Sequence, residues 1–558
     1  MIRLLFFLFI VSATASFSQK LSSGPQVVTF FSDVDDTEQP YGLYLPKNYD
    51  PGKKYPLVIM LHGAGSNHRL ALRRVFGKSN ANGETDVEAT RYFPEWKDID
   101  YIVASPFARG TAGYQGIAEK DVYDVLADVK KRFNIDEDRT YLTGLSMGGG
   151  GTLWIGLTRP DIWAALAPVC PAPPRGTDIY MPNALNVPMH FFHGDADRAV
   201  PVSISRDWVK KLKDLGAKVE YEEYPGVDHN SWENAYKDEK IFAWFDQFKR
   251  SRFPDQVKFS TAQLKYNKAY WVQFDEITPG TPASIDARFI SPNQLQITTS
   301  NLKGFSLQLK GHPKYDNAQP LTITLDGKKV KNSSKDSISF SWRNEKWLNE
   351  KTSLSPLQKR PGHEGPVSQI LSRRHIYVYG TGGNPSEQEQ KARAEIATLA
   401  GNWSVYRNEF LGRIMFFPRI IADKDVRASD FETADMILFG NKETNSVIAK
   451  YADQLPMHLD ANEKELGLVY FFNVGERNVV INSGLPWWTG SDAQSYSSPP
   501  IFQQAANFKD FILFRGSVKK VVTEGLFDND WNIPATQRKL LSENRVTLKE
   551  QSSTTPKK

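Results

Sequence analysis

The segment Gly144-Leu145-Ser146-Met147-Gly148 reads G-x-S-x-G and constrains the fold more than any other stretch of this chain. The preceding residues 139–143 are β-branched and aromatic, as in a buried strand, and residues 152–155 open a helix. A serine on a sharp turn from a strand into a helix exposes its hydroxyl at the edge of a sheet. The flanking glycines suit such a turn because it is strained and the helix packs closely on neighbouring strands. The motif therefore predicts a nucleophilic Ser146.

Around this motif, residues 19–253 alternate between strand-like and helix-like patterns. Apolar runs long enough for buried strands lie at residues 57–61, 101–104, 165–170 and 189–192. Residues 119–133 repeat apolar positions at helical spacing, and residues 219–224 alternate like an edge strand. Continuous apolar strands separated by helices are typical of a sheet that helices cover on both faces. We therefore predict an α/β class with a doubly wound, mainly parallel sheet.

The rest of the chain divides by composition and periodicity. Residues 254–345 hold short alternating runs separated by turn signals such as Asp326-Gly327, which predicts a small all-β module resembling a sandwich. Residues 346–365 are predicted to be a linker, because a run rich in Lys, Pro and Gly occupies residues 359–366. Strand–helix alternation returns in residues 366–540, a predicted second and smaller α/β domain, and the polar residues 541–558 predict a disordered tail.

The first residues predict export from the cytoplasm. A charged start, Met1-Ile2-Arg3, precedes the apolar residues 4–11, and small residues including Ala15 and Ser18 follow. This is the order of a secretory signal peptide, here residues 1–18, so we expect a secreted or periplasmic protein. The apolar run is too short to span a bilayer, and we expect no transmembrane segment in the mature chain.

Charge and cysteine content narrow the possible classes further. The net charge of +5 is small for 558 residues, and Lys and Arg are interleaved with Asp and Glu, which gives no case for nucleic acid binding. Cys170 is the single cysteine, so no intramolecular disulfide can form. Its place in the apolar run 165–170 predicts a buried, inert thiol. The sequence does not predict an oligomeric state.

A serine hydroxyl becomes a good nucleophile when a base accepts its proton and a carboxylate orients that base. The fold expected of the serine turn supplies these groups in the chain order Ser, Asp or Glu, His. His229 precedes the last helix-like segment and is the predicted base. The loop after the strand that ends at His193 offers two acids, Asp197 and Asp195. The spacing H-G-x-x-D-x-x-V-P favours Asp197, and Asp195 fits a turn residue.

Acyl transfer also needs N–H donors for the oxyanion that forms on the carbonyl oxygen. The segment Leu61-His62-Gly63-Ala64-Gly65 follows the first core strand and can present such donors. We predict the backbone N–H groups of Ala64 and of Met147, the residue after the nucleophile. His62 is interpreted as a brace for this loop rather than as a reacting group.

No sequence motif predicts a metal or a cofactor. Neither H-E-x-x-H nor a paired C-x-x-C occurs. The turn Gly380-Thr381-Gly382-Gly383 follows a strand and precedes a helix, so an anion site there is conceivable, but it lacks a P-loop lysine and an ordinary turn is favoured. Trp487-Trp488 offers aromatic faces for a sugar ring, with core packing or contact between domains as the favoured alternative.

Together these motifs resemble those of the α/β-hydrolase superfamily. Within it, the chain resembles secreted bacterial esterases of the feruloyl and acetyl-xylan esterase type, which are related to prolyl-oligopeptidase-family and dienelactone-hydrolase-like proteins. The resemblance covers residues 25–253 and implies an α/β-hydrolase fold with Ser146, Asp197 and His229 as its catalytic triad. Prolyl oligopeptidases carry a β-propeller before this domain, and the chain shows none, which argues against peptidase activity.

We therefore expect a serine esterase that removes feruloyl or acetyl groups from plant or algal polysaccharide, with an acylated carbohydrate as its partner. A serine peptidase of the prolyl-oligopeptidase type is the first alternative. Lipase, thioesterase and polyester depolymerase activities are further alternatives within the same chemistry. A non-catalytic glycan-binding protein on a hydrolase scaffold belongs to another class, and the complete set of Ser, His and Asp argues against it.

Overall fold

The computed structural model of the chain describes residues 21–330, 337–352, 355, 357–404, 414–491 and 501–550. The predicted signal peptide, residues 1–18, lies outside the described residues. We call residues 21–252 the N-terminal region, residues 253–352 the middle region and residues 357–550 the C-terminal region. Among the described residues, no helix has the length and apolar character needed to cross a membrane.

An eight-stranded sheet forms the centre of the described N-terminal region. Its strands β1 to β8 are Gly24–Ser32, Thr37–Leu45, Tyr55–Leu61, Ile102–Pro106, Ile135–Leu145, Ala165–Val169, Met189–Gly194 and Val219–Tyr224. They lie in the order β1-β2-β4-β3-β5-β6-β7-β8. The pairs β1–β2 and β2–β4 are antiparallel, and all later neighbours run parallel. The sheet is therefore mainly parallel, as the sequence predicts.

Helices cover both faces of this sheet. Helices α1 to α7 are His68–Val75, Asp86–Ala89, Ile117–Arg132, Met147–Thr158, Val202–Asp214, Trp232–Ala235 and Lys240–Phe245. Strand β3 is buried along its whole length, and its residues alternate between two core clusters. Leu57 and Ile59 belong to one cluster, whereas Val58 and Met60 belong to the other. Its apolar run thus reflects burial on two faces.

The described middle region contains two five-stranded sheets. Strands β9 to β18 are Gln256–Thr261, Lys268–Ala269, Val272–Ile277, Ala283–Ser291, Gln294–Ser300, Leu302–Gln308, Thr322–Leu325, Lys328–Val330, Ser337–Arg343 and Lys346–Leu348. The strand orders are β10-β11-β14-β17-β18 and β16-β15-β13-β12-β9. One apolar cluster contains Phe259 and Ile285 from the second sheet together with Phe274 and Phe305 from the first. The two sheets therefore share a core.

The described C-terminal region is built around a seven-stranded sheet. Strands β19 to β27 are His375–Tyr379, Ile420–Ala422, Asp435–Phe439, Met457–Leu459, Leu466–Val474, Arg477–Gly484, Phe511–Arg515, Ser517–Gly525 and Val546–Leu548. Helices α8 to α12 are Glu387–Ala400, Ala428–Thr433, Ser446–Tyr451, Ile501–Ala505 and Ala535–Glu543. The order is β20-β19-β21-β24-β23-β25-β26, parallel as far as β24 and antiparallel beyond it.

The prediction of a disordered tail from residue 541 is wrong as far as Leu548. Helix α12 continues to Glu543, and β27 pairs with β22 through Met457 and Leu548. Leu541 and Val546 are buried, so these apolar side chains anchor a segment whose overall composition is polar. The remaining tail residues 551–558 lie outside the described residues.

A buried carboxylate joins the C-terminal region to the middle region. Glu364 lies in the segment predicted as a linker, and its carboxylate accepts the backbone N–H groups of Leu264 and Lys265, each at 2.6 Å. Burial raises the pKa of Glu364 to about 7, although the two N–H groups and nearby Lys359 oppose the shift. The folded protein therefore binds this proton more tightly than the unfolded chain does.

This raised pKa predicts a pH-dependent stability of the junction. An acid whose pKa is higher in the folded state loses stabilising free energy as the pH rises from its unfolded to its folded pKa. We expect the free energy of unfolding of the wild type, measured relative to Glu364→Gln, to fall by about 3 kcal/mol or less between pH 4.5 and 7. Denaturant unfolding of both proteins across this range provides the measurement. A difference between them that does not vary with pH would contradict the prediction.

Candidate active site

Ser146 occupies the turn between β5 and α4 in a backbone conformation that residues other than glycine rarely adopt. Its φ and ψ angles are 55° and −118°. Its N–H donates to Val169 O at 2.9 Å, while its carbonyl oxygen accepts the N–H groups of Gly150 and Ala172 at 2.9 and 3.2 Å. A strained non-glycine backbone persists where its neighbours determine it, and it is common at functional sites. Here the hydrogen bonds of the Ser146 N–H and carbonyl groups hold the backbone in this conformation.

The glycines in the motif and directly after it allow helix α4 to approach its neighbours closely. A Cβ atom at Gly148 would collide with the carbonyl oxygens of Leu61 and His62. A Cβ atom at Gly150 would collide with the carbonyl oxygen of Ala172. Because these neighbours are backbone atoms, they cannot move aside as a flexible side chain can. The sequence requirement for glycine therefore comes from packing between α4 and the loops around it.

His229 lies between the serine and a buried carboxylate. Its Nε2 is 2.9 Å from Ser146 Oγ, and its Nδ1 is 2.7 Å from Asp197 Oδ2. The imidazole retains 21% of its side-chain exposure, whereas the Asp197 side chain has none. Trp232 packs edge-on against the ring. The arrangement allows the ring to accept the hydroxyl proton while the carboxylate holds Nδ1–H.

The structure brings Asp197, and not Asp195, to the histidine. The other oxygen of the Asp197 carboxylate, Oδ1, accepts the N–H groups of Ala199 and Val200, both at 2.8 Å. Asp195 instead accepts the N–H of Gly226 at 2.6 Å and closes a turn. Asp197 and Asp195 are thus only two residues apart, yet the first carboxylate faces His229 and the second fixes a loop.

His193 makes a contact that the sequence analysis missed. Its Nε2 lies 3.2 Å from Asp197 Oδ2 and 2.9 Å from Val200 O, and its Nδ1 lies 2.7 Å from Ser205 Oγ. Burial lowers the pKa of His193, so the ring is neutral near pH 7. Because both neighbours of Nε2 are acceptors, its single proton resides there and Ser205 donates to Nδ1. The available signal was a histidine near the end of β7, four residues before the acid.

The loop of residues 62–65 lies beside the serine. A Cβ atom built on Gly63 would be 3.6 Å from Ser146 Cβ. Within the described residues, the N–H groups of Ala64 and Met147 donate to no protein acceptor, so both remain available to a ligand. These are the donors that the sequence predicts for an oxyanion.

A second loop, residues 107–116, braces the first. His62 Nε2 is 2.8 Å from Phe107 O, and the Tyr114 hydroxyl donates to His62 O at 3.0 Å. Gly65 N–H donates to Thr111 Oγ1 at 2.9 Å. His62 is fully buried, and burial lowers its pKa. The ring therefore supports the loop from inside the fold, away from solvent.

Cys170 is buried directly after β6, close to the same side chains. Burial raises the pKa of its thiol to about 12, so it is uncharged at neutral pH. Among the described residues, Cys170, Asp197 and His229 form the group of metal-ligand types whose atoms lie within 4.8 Å of one another. The Asp197–His229 hydrogen bond already links two of its members.

Two further positions were considered from the sequence, one for an anion and one for a sugar ring. Both make contacts within the protein. In the turn of residues 380–383, Thr381 donates its N–H and its hydroxyl to the Asp423 carboxylate at 2.9 and 2.6 Å. An internal anion thus fills the position that a bound anion would take. Trp487 is buried and stacks on Phe439, with ring centroids 5.5 Å apart, so its ring serves core packing.

Comparison with known proteins identifies the part of the chain that carries this site. Residues 50–244 match the family model of phospholipases and carboxylesterases. These residues belong to the α/β-hydrolase superfamily. The resemblance drawn from the motifs is thereby confirmed for residues 50–244.

Several solved structures are similar to the hydrolase region. A thermostable esterase has 29% sequence identity and a TM-score of 0.33; the match covers 40% of this chain and 63% of that one. A ferulic acid esterase has 19% identity over 41% of this chain and 99% of its own, with a TM-score of 0.32. A ferulic acid esterase from Anaeromyces mucronatus, solved with ferulic acid, has 19% identity over 40% of this chain and 90% of its own, with a TM-score of 0.30.

The contact between His193 and Asp197 predicts a pH effect on the reactivity of Ser146. Loss of this donor leaves the carboxylate more basic, so it holds the His229 proton more tightly. We expect the midpoint of the pH profile for fluorophosphonate labelling of Ser146 to rise by about one unit in His193→Leu, since hydrogen bonds to charged groups contribute about 1.5–3 kcal/mol. His193→Gln can still present an N–H near the Nε2 position and should restore the midpoint. Equal midpoints in the wild type and His193→Leu would contradict the prediction.

Proposed function

We propose that the chain is a serine carboxylic-ester hydrolase that works through an acyl-enzyme. The observation that carries the proposal is the alignment of Ser146 Oγ, His229 and Asp197 at hydrogen-bond distances of 2.9 and 2.7 Å. A base within hydrogen-bond reach of the nucleophile, itself oriented by a carboxylate, is the geometry that activates a serine. The carboxylesterase family match supports an ester as the substrate.

The reaction divides into two steps. Ser146 Oγ attacks the ester carbonyl while His229 Nε2 accepts the hydroxyl proton, and the N–H groups of Ala64 and Met147 stabilise the oxyanion. The tetrahedral intermediate collapses, the C–O bond to the alcohol breaks, and His229 returns the proton to the leaving alkoxide. Water then attacks the acyl-enzyme with His229 again as base, which releases the carboxylic acid and restores Ser146.

The finer part of the proposal is a feruloyl or acetyl ester on plant or algal polysaccharide, cleaved outside the cytoplasm. Its support is the apolar N-terminal run typical of an exported chain and the resemblance of the motifs to esterases of that type. A polymer is too large to enter the cell, so export and a polysaccharide substrate are consistent with each other.

The central experiment compares three substrate classes. Purified wild type and Ser146→Ala are assayed on methyl ferulate, acetylated xylan and a Gly-Pro anilide. We expect ester hydrolysis by the wild type and a loss of about 10⁴-fold or more in the variant, since removal of the nucleophile removes the acyl-enzyme route. Cleavage of the anilide alone would favour a prolyl-oligopeptidase-like peptidase. Inactivity on all three, combined with retention on insoluble polysaccharide, would favour a glycan-binding protein.

The two neighbouring acids provide a matched pair for the assignment of the carboxylate. Asp197→Asn removes the charge that orients His229, and we expect kcat on the ester to fall by about 10³–10⁴-fold. Asp195→Asn alters a turn contact to Gly226 and should leave the rate near that of the wild type. Steady-state kinetics of both variants distinguish the roles. A larger loss in Asp195→Asn would contradict the assignment.

A further inference from the structure

We propose that the cavity where the three regions meet binds the sugar chain on the alcohol side of the ester. The cavity has a volume of about 780 Å³, and residues of all three regions line it. Ligand cavities of roughly 300–1,000 Å³ occur preferentially at interfaces between domains. The inference rests on the proposed esterase activity and extends it by assigning a carbohydrate site outside the catalytic residues.

Two loops connect the cavity to the catalytic serine. The loop of residues 107–116 contributes Ala112 and Gly116 to the wall, and its Thr111 accepts the N–H of Gly65. The loop of residues 171–176 contributes Arg175, and its Ala172 donates to Ser146 O at 3.2 Å. Both loops thus line the cavity and also contact backbone groups of the site, and the proposal places the chain attached to the ester along them.

The polar lining suits a ligand rich in hydroxyl groups. Gln115 and Arg175 come from the N-terminal region, Gln263 from the middle region and Gln503 from the C-terminal region. Within the described residues, these side chains have no hydrogen bond or ion pair with protein. A carboxamide donates and accepts at once, as a sugar hydroxyl does, and a guanidinium adds donors.

Aromatic side chains supply the apolar part of the lining. Trp403 and Phe502 both line the cavity, and their rings stack with centroids 3.9 Å apart and an interplanar angle of 8°. Trp154 lines it from α4. An aromatic surface beside convergent polar groups is the usual composition of a small-molecule site. These rings are buried, so they form an apolar floor of the cavity that the C–H groups of a sugar can contact.

Contacts between the regions hold the walls in place before any ligand binds. Glu364 ties the C-terminal region to Leu264 and Lys265 of the middle region. Lys265 in turn forms an ion pair with the buried Glu119 of the N-terminal region at 3.0 Å. Met415 N–H donates to Arg109 O at 3.0 Å across the other interface. A preformed site loses less conformational entropy on binding than a mobile one.

Neighbouring glutamines on helix α11 provide a test with a matched control. Gln503 lines the cavity, whereas Gln504 does not. We expect Gln503→Ala combined with Gln263→Ala to raise KM for an acetylated xylo-oligosaccharide by about tenfold or more, as the loss of two ligand hydrogen bonds predicts. Ala506→Trp fills the cavity and should act in the same direction. None of these variants should alter kcat/KM for 4-nitrophenyl acetate. Gln504→Ala should leave the kinetic constants for both substrates unchanged.

A binding measurement separates this inference from the proposed activity. Calorimetry of the full-length protein with unacylated oligosaccharides from xylan, arabinan, pectin and alginate needs no catalysis. We expect at least one of these probes to bind to the wild type, and to bind at least tenfold more weakly to Ala506→Trp. Binding unaffected by the variants, or no binding by any probe, would overturn the cavity site even if the protein hydrolyses esters. Failure to hydrolyse any ester, with cavity-dependent binding intact, would overturn the proposed function alone.

Discussion

The backbone of Ser146 is the constraint on which the rest of the site depends. Its positive φ angle of 55° is costly for a side-chain-bearing residue, yet it is the conformation that turns Oγ away from the sheet and towards His229. Backbone hydrogen bonds to Val169, Gly150 and Ala172 hold it, and the absence of side chains at Gly149 and Gly150 leaves room for the carbonyl groups of Val169 and Ala172. The eight-stranded sheet thus positions the backbone groups that hold Ser146 in its strained conformation.

The loops around Ser146 are themselves held by contacts further from the site. The loop of residues 62–65 is held by the loop of residues 107–116, which in turn is held by Arg109. The guanidinium of Arg109 is buried, lies 2.7 Å from the Asp121 carboxylate and packs over the ring of Phe416 from the C-terminal region. The C-terminal region therefore contacts a loop that supports the site. The position of the C-terminal region indicates that it packs as part of the same unit as the site and not as a separate domain.

The sequence alone predicted the features that are determined by residues close together in the chain. The apolar run of β3 predicted a strand buried on two faces, and the motif around Ser146 predicted a turn with glycine on both sides. Spacing along one loop was enough to prefer Asp197 to Asp195. In each case the residues that carry the signal are the residues that the structure uses.

Features that depend on distant parts of the chain escaped the sequence analysis. The contact from His193 to Asp197 depends on the curvature of the loop after β7, and the strand Val546–Leu548 forms by pairing with Met457–Leu459, which lies far earlier in the chain. Glu364 lies in a segment with the composition of a linker, yet it is buried by residues about a hundred positions away. Polar composition describes the average of a segment, whereas one buried side chain decides where the segment packs.

The central claim is that Ser146 becomes covalently acylated during turnover. Rapid acid quenching of the wild type with 4-nitrophenyl acetate, followed by peptide mass spectrometry, tests this claim directly. The account predicts an acetyl group on the peptide that contains Ser146, formed at the rate of the initial burst of nitrophenol. An acetyl group on another residue, or hydrolysis without any acylated peptide under conditions where the burst is seen, would contradict it.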